Sequence, residues 1–191
     1  MATEIYLPAS APSNTRYGLV PQTPAVQGHA CYPVAFEDEV WYNREIRVEA
    51  RRQIKQIPGS GHILVGFSKS GSGALNMALD DPAFYKAVVI FDSPLCHNDV
   101  PPWNTSGFYD QASWEEDLPL NRMDDIAALA KTVQIIHIGG HAFCKDHQAF
   151  DRMLSERQIP ALFASRPDLD HHWDSGWVAE YVRQSIKQEF P

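Results

Sequence analysis

HILVGFSKSGSGALNMAL, residues 62–79, is the stretch on which the reading of the whole chain turns. Short and apolar, HILVGF enters through Pro58 and Gly59 and reads as a buried strand. GALNMALDDP continues as a helix that stops at Pro82. Between them lies a tight Gly/Ser turn with three serines, Ser68, Ser70 and Ser72. A strand–turn–helix of this kind can hold a nucleophile on a strained backbone bend. The residues two before and two after that nucleophile then approach each other closely and must be small. Ser68 satisfies this best, with Gly66 before it and Ser70 after it. The turn would project its hydroxyl above the strand's C-terminal edge, toward the amides and positive dipole end of the next helix.

Phosphate-binding readings of the same turn fail on spacing. A P-loop ending in Lys69-Ser70 needs glycine at 63 and 68, which hold Ile63 and Ser68. The dinucleotide pattern starting at Gly71 and Gly73 meets Asn76 at its third glycine position. A purely architectural role for the glycines, allowing close helix–strand packing, is the plain alternative.

Outward from the turn, short apolar runs alternate with helical patterns, which predicts a parallel sheet with crossover helices. Strands are expected at 3–8, within 29–38, and at 62–67, 86–95, 133–140 and 161–166. Helices are expected at 43–57, after the Gly/Ser turn, and at 123–131, 146–158 and 177–190. Residues 9–24 are too rich in Pro, Ser and Asn for regular structure. Residues 96–122 read as an irregular excursion whose Trp103, Phe108, Tyr109 and Trp114 suit a cap over a pocket. At 191 residues a single domain, 1–191, is expected.

A net charge of −8 disfavours nucleic acid and anionic membranes as partners. The arginines and lysine of 44–55 are interleaved with acids and read as a solvated helix face. Three widely spaced cysteines suggest neither a disulfide framework nor a zinc site. MATEIYLPAS lacks a basic start and a long apolar run, so no signal peptide is read and a cytoplasmic location is expected. His137 and His141 straddle a strand end and not a helix face, which disfavours a zinc protease geometry; no metal or other cofactor is expected.

A serine nucleophile needs a base and an orienting acid, both from strand-end loops. His171 and His172 stand just before the closing helix, in LDHHWDSGW. For the acid, Asp146 after the strand VQIIHI is preferred to Asp92, which ends AVVIFD. Oxyanion donors are expected from the Lys69 amide and from the first strand's loop, near Ala9 and Ser10, because Pro8 has no N–H.

With these residues in the order serine, acid, histidine, the chain resembles the α/β-hydrolases. GFSKSGSGAL resembles that family's G-x-S-x-G elbow with Ser70 in place of the second glycine. HHWDSGWV resembles the esterase-like pattern of a histidine followed two residues later by Trp, with another Trp opening the last helix. That pattern selects His171 over His172. The resemblance implies a minimal three-layer α/β fold with a mostly parallel sheet of about six strands. It implies a serine esterase acting on a small-molecule ester through a covalent acyl-enzyme. A thioesterase or peptidase would share the same three residues, and a catalytically silent binding protein would share the fold alone.

Overall fold

The computed structural model describes residues 1–103 and 105–186. Six strands form one sheet: β1 Thr3–Leu7, β2 Ala30–Pro33, β3 His62–Phe67, β4 Tyr85–Phe91, β5 Gln134–Gly139 and β6 Leu162–Ser165. Their spatial order is β2-β1-β3-β4-β5-β6 and every neighbouring pair is parallel. The expected sheet is thus all parallel. β3, β4 and β5 lie at its centre, and β3 and β5 are buried throughout, which is why they read as short, mostly apolar runs.

The helices are α1 Arg44–Ile54, α2 Lys69–Asp80, α3 Gln111–Asp117, α4 Met123–Leu129, α5 Cys144–Glu156 and α6 Val178–Gln184. Ala50 and Ile54 of α1, Leu75 and Ala78 of α2, Ile126 of α4 and Phe150 of α5 share one core with Ile5, Leu64, Val88 and Ile135. The opposite face, formed by Tyr6, Val65, Val89 and Ile138, is covered by Val20, Val26, Trp173, Trp177 and Tyr181. That layer therefore consists of α6, the loop leading into it and the loop between β1 and β2. The division follows from right-handed crossovers. From β2 onward the chain moves in one direction across the sheet, and only the β1–β2 step runs the other way. Connections reverse direction between β1 and β3, and the crevice opened there at the strands' C-terminal ends is where open parallel sheets seat their ligands.

Two expectations are revised. Segment 96–122 holds α3, capped by Asp110 and Ser113 in a reciprocal capping box, and a 3-10 turn at Pro119–Asn121. Trp114 and Leu118 build a small core of their own on Trp41. α1 turns Arg47, Ala50 and Ile54 inward while Val48 is exposed. Arg47 is a buried cation pairing with Asp80 and Asp117, not part of a solvated face. The strand expected within 29–38 is β2, four residues long. The end of the expected helix 177–190 lies partly outside the described residues.

Candidate active site

Ser68 follows β3 directly and precedes the first residue of α2. Its φ of 54° and ψ of −131° are strained for a residue with a side chain. The bend is held tightly. A Cβ at Gly66 would sit 2.2 Å from the Ser70 carbonyl oxygen, so the position two before Ser68 admits no side chain. On the other side of the bend, Ser70 fills a function that glycine could not. Its Oγ accepts from the Phe67 amide at 2.9 Å and lies 2.7 Å from the Leu7 carbonyl oxygen, to which it can donate. Ser70 is thereby a buried pin across the β1–β3 seam, not a second reactive hydroxyl. Ser72 is likewise turned inward, with its Oγ on the Lys69 carbonyl at 3.1 Å.

Ser68 Oγ lies 3.1 Å from His171 Nε2, and His171 Nδ1 lies 2.6 Å from Asp92 Oδ2. The imidazole is wedged among Tyr17, Phe67 and Phe143. Its loop is fastened from behind by two tryptophans. Trp173 packs on Tyr6 and Phe67, while Trp177 packs on Phe67 and Phe91 and donates from Nε1 to the His172 carbonyl. This accounts physically for the Trp spacing after His171. His172 points elsewhere, its Nδ1 accepting from the Asp174 amide at 3.0 Å.

The carboxylate facing His171 belongs to Asp92, which reverses the preference for Asp146. Asp92 is fully buried at the end of β4 with φ 39°. It accepts from the amides of Gly140 at 2.9 Å, Ala142 at 3.0 Å and Phe143 at 2.7 Å. The loop after β5 thus donates to the carboxylate that faces His171 instead of providing it. Asp146 falls in the first turn of α5, where its carboxylate accepts from the Cys96 amide at 3.2 Å and stands 3.8 Å from His97 Nδ1. Burial raises its carboxyl above the ordinary aspartate range. The signal available in the sequence was Gly139-Gly140. A Cβ at Gly140 would come within 2.9 Å of the Asp92 carboxyl carbon and 2.6 Å of Trp177, so that glycine makes room for the acid.

A cleft of about 500 Å³ opens over Ser68, lined by Tyr17, Trp41, Lys69, Trp103, Phe143 and His171 among others. Ala9 and Ser10 also border it. The Ala9 amide donates to the Tyr17 carbonyl at 3.3 Å, so it is committed within its own loop. Lys69 opens α2, where an amide has no intrahelical acceptor. The Lys69 ammonium is buried against Trp41 and ion-paired with Glu39. Burial lowers its pKa, with Glu39 opposing the shift. Segment 96–122 contributes Trp103 to the rim, and Trp41 Nε1 donates to the Trp103 carbonyl at 3.1 Å. Among the described residues no cluster of His, Cys, Asp and Glu could hold a metal ion, and no helix is long and apolar enough to cross a membrane.

Chemically, a strained hydroxyl beside an imidazole that is itself oriented by a buried carboxylate is the arrangement that makes a serine nucleophilic. Comparison with known proteins points the same way. A family model described as "Putative esterase" matches residues 45–189. The S-formylglutathione hydrolase of Bos taurus is 27% identical over 137 residues, covering 64% of this chain and 47% of that protein. The chain spans about half the length of that curated relative. Among solved structures, the Staphylococcus aureus fluorophosphonate-binding serine hydrolase F superimposes with a TM-score of 0.69 at 15% identity, covering 98% of this chain and 84% of that one. The S-formylglutathione hydrolase of the same organism gives a TM-score of 0.64 at 18% identity, covering 98% and 80%. These likenesses establish the fold as that of the α/β-hydrolases.

Proposed function

Because the chain belongs to the esterase family, we propose that it is a serine hydrolase of small acyl esters, with Ser68 as nucleophile, His171 as base and Asp92 as orienting acid. The observation that carries this reading is the continuous hydrogen-bonded line from Ser68 Oγ through both nitrogens of His171 to Asp92. Ser68 Oγ attacks the ester carbonyl carbon while His171 Nε2 takes its proton. The resulting oxyanion is received by the backbone amides of Lys69 and Ser10, which border the cleft over Ser68. The imidazolium then returns the proton to the departing alcohol, leaving an acyl-Ser68 ester. Water enters, gives a proton to His171, attacks the acyl carbon and releases the acid, and the proton passes back to Ser68. Asp92 stays a hydrogen-bond acceptor throughout, keeping the Nδ1–H tautomer and stabilising the imidazolium.

Four aromatic walls, Tyr17, Trp41, Trp103 and Phe143, favour an apolar or flat acyl group over a highly charged one. Segment 96–122 acts as a cap that supplies the Trp103 side of this cleft. A thioester is the second reading, favoured by the relative named for S-formylglutathione, which carries its acyl group on sulfur. A fluorophosphonate probe tests the nucleophile: the wild type should label and folded Ser68→Ala should not. Folded wild-type protein that resists labelling removes the hydrolase assignment. Paired oxygen and thiol esters of one acyl chain then distinguish the two readings by kcat/KM.

A further inference from the structure

β4 is followed by the turn Asp92-Ser93-Pro94, and Ser93 ties that strained turn to two other elements. Its Oγ accepts from the Ser72 amide, in the first turn of the helix that follows Ser68, at 2.8 Å. Its own amide donates to His147 Nε2 on α5, also at 2.8 Å. His147 is fully buried, and its Nδ1 lies 3.3 Å from Nδ1 of the equally buried His137 on β5. The proton positions follow from these contacts. A backbone N–H can only donate, so Nε2 of His147 offers its lone pair and the ring's proton sits on Nδ1. That proton is donated to His137 Nδ1, which leaves the His137 proton on Nε2, 3.8 Å from an Asp151 oxygen. Burial keeps both rings neutral, pushing His137 down to about 3 and His147 well below the ordinary histidine value.

A large apolar side chain would fill the same space, yet an imidazole stands there with its acceptor nitrogen on the residue next to the acid. We propose that His147 is a positioning residue for Asp92: as a neutral Nδ1–H imidazole it fixes the Ser93 amide, and through it the turn that aims the Asp92 carboxylate at His171. Ser93 Oγ couples that same turn to the helix behind Ser68, so His147 sets the acid and the nucleophile relative to one another. The inference rests on the assignment of Ser68, His171 and Asp92 given above.

Three substitutions separate positioning from packing. His147→Phe keeps the ring volume and removes both nitrogens. His147→Gln places an amide oxygen near the Nε2 position, within reach of Ser93. His147→Asn reaches as far as Nδ1 and no further, and serves in place of the Phe variant if that chain does not fold. The direct readout is the His171 Nδ1 proton that faces Asp92, followed by ¹H–¹⁵N NMR, which needs no turnover. The groups that face His171 are Asp92, Ser68 and the rings of Tyr17, Phe67 and Phe143, and Asp92 is the carboxylate among them. A proton held in a short hydrogen bond to a carboxylate resonates far downfield, so a loosened Asp92 moves the His171 Nδ1 proton upfield. The Phe and Asn variants should show that upfield move, with kcat reduced about tenfold or more and KM little changed, as for an interaction made in the transition state. The Gln variant should recover both. A folded Phe or Asn variant with the wild-type Nδ1 proton resonance and kcat overturns the proposal. Failure of the wild type to react with a fluorophosphonate overturns the hydrolase assignment instead, and the NMR spectrum still reports whether His147 governs the Asp92–His171 contact.

Discussion

Asp92 accepts four hydrogen bonds, three from backbone amides and one from His171. Nothing else in the site is held so completely, because a fully buried carboxylate is tolerated only when its oxygens are satisfied. Asp92→Asn keeps the shape but replaces an acceptor with an NH₂ group that must face donors, either the loop amides or the Nδ1–H. The histidine is then held in the wrong tautomer, and kcat should fall by roughly 10³- to 10⁴-fold with modest change in KM. Asp146→Asn, whose carboxylate answers to Cys96 and His97, should leave kcat within a few-fold. Parallel steady-state kinetics on the two variants decide the point, and a larger loss for Asp146→Asn would reverse the assignment. The site was unevenly legible in the sequence. Ser68 could be singled out because steric demands at a strained turn are local and written in adjacent residues. The acid could not, since either aspartate follows a strand and lies before His171. What separates them is which loop offers its amides, a tertiary fact hinted at by Gly139-Gly140 alone.

At the scale of elements, the β3–α2 elbow is the piece on which the rest depends, and its two small residues work in opposite ways. Gly66 is there for what it lacks. In Gly66→Ala the new Cβ would press on the backbone of Ser70, which cannot yield as a flexible side chain would. The cost should exceed the ~1–3 kcal/mol usual for overpacking. It would be read as a lower denaturation midpoint at unchanged m-value. Ser70 is there for what it has. Ser70→Ala leaves the buried Phe67 amide and the Leu7 carbonyl without their hydroxyl partner, a loss of about 1–3 kcal/mol. A variant as stable as wild type would mean that the seam between β1 and β3 does not need this pin. The same scale explains which elements could be read in advance. Central strands and their crossover helices are fixed by long runs of burial on both faces. α3 escaped notice because its stability comes from the Asp110–Ser113 capping box and from Trp114 inserted beneath Trp41, not from an apolar stripe. In α1, Arg47 could not be told from the solvated arginines beside it, because it is buried by pairing with Asp80 and Asp117 and a charge pattern cannot announce its partners.

Among the described residues three histidines, His62, His137 and His147, are fully buried and burial lowers the pKa of all three, which gives the molecule a definite response to acid. In the unfolded chain His137 and His147 protonate near the ordinary value of about 6.5. In the folded chain burial pushes His137 to about 3, and His147 is also held well below its ordinary value. Between those limits the unfolded state binds protons that the native state refuses, so stability is present above about pH 6.5 and drains away as the pH falls. His137 alone should remove about 2 kcal/mol between pH 7 and pH 5, with His147 acting in the same direction. Asp146 and Asp151 oppose this, since burial raises both carboxyls and the native state then takes up protons before the unfolded one does. Their contribution grows as the pH approaches the ordinary aspartate range near 4, so the histidine-driven loss should be clearest between pH 6.5 and 5. Against a total stability of ~5–15 kcal/mol this is a large fraction. Urea denaturation at pH 7, 6 and 5 measures it directly. Wild-type stability should fall steadily over that range, and His147→Gln should fall less because it carries one fewer proton-accepting ring. A wild-type curve that is flat from pH 7 to 5 would show that the interior does not hold these histidines neutral, and the hydrogen-bond order from Ser93 to His137 would then have to be redrawn.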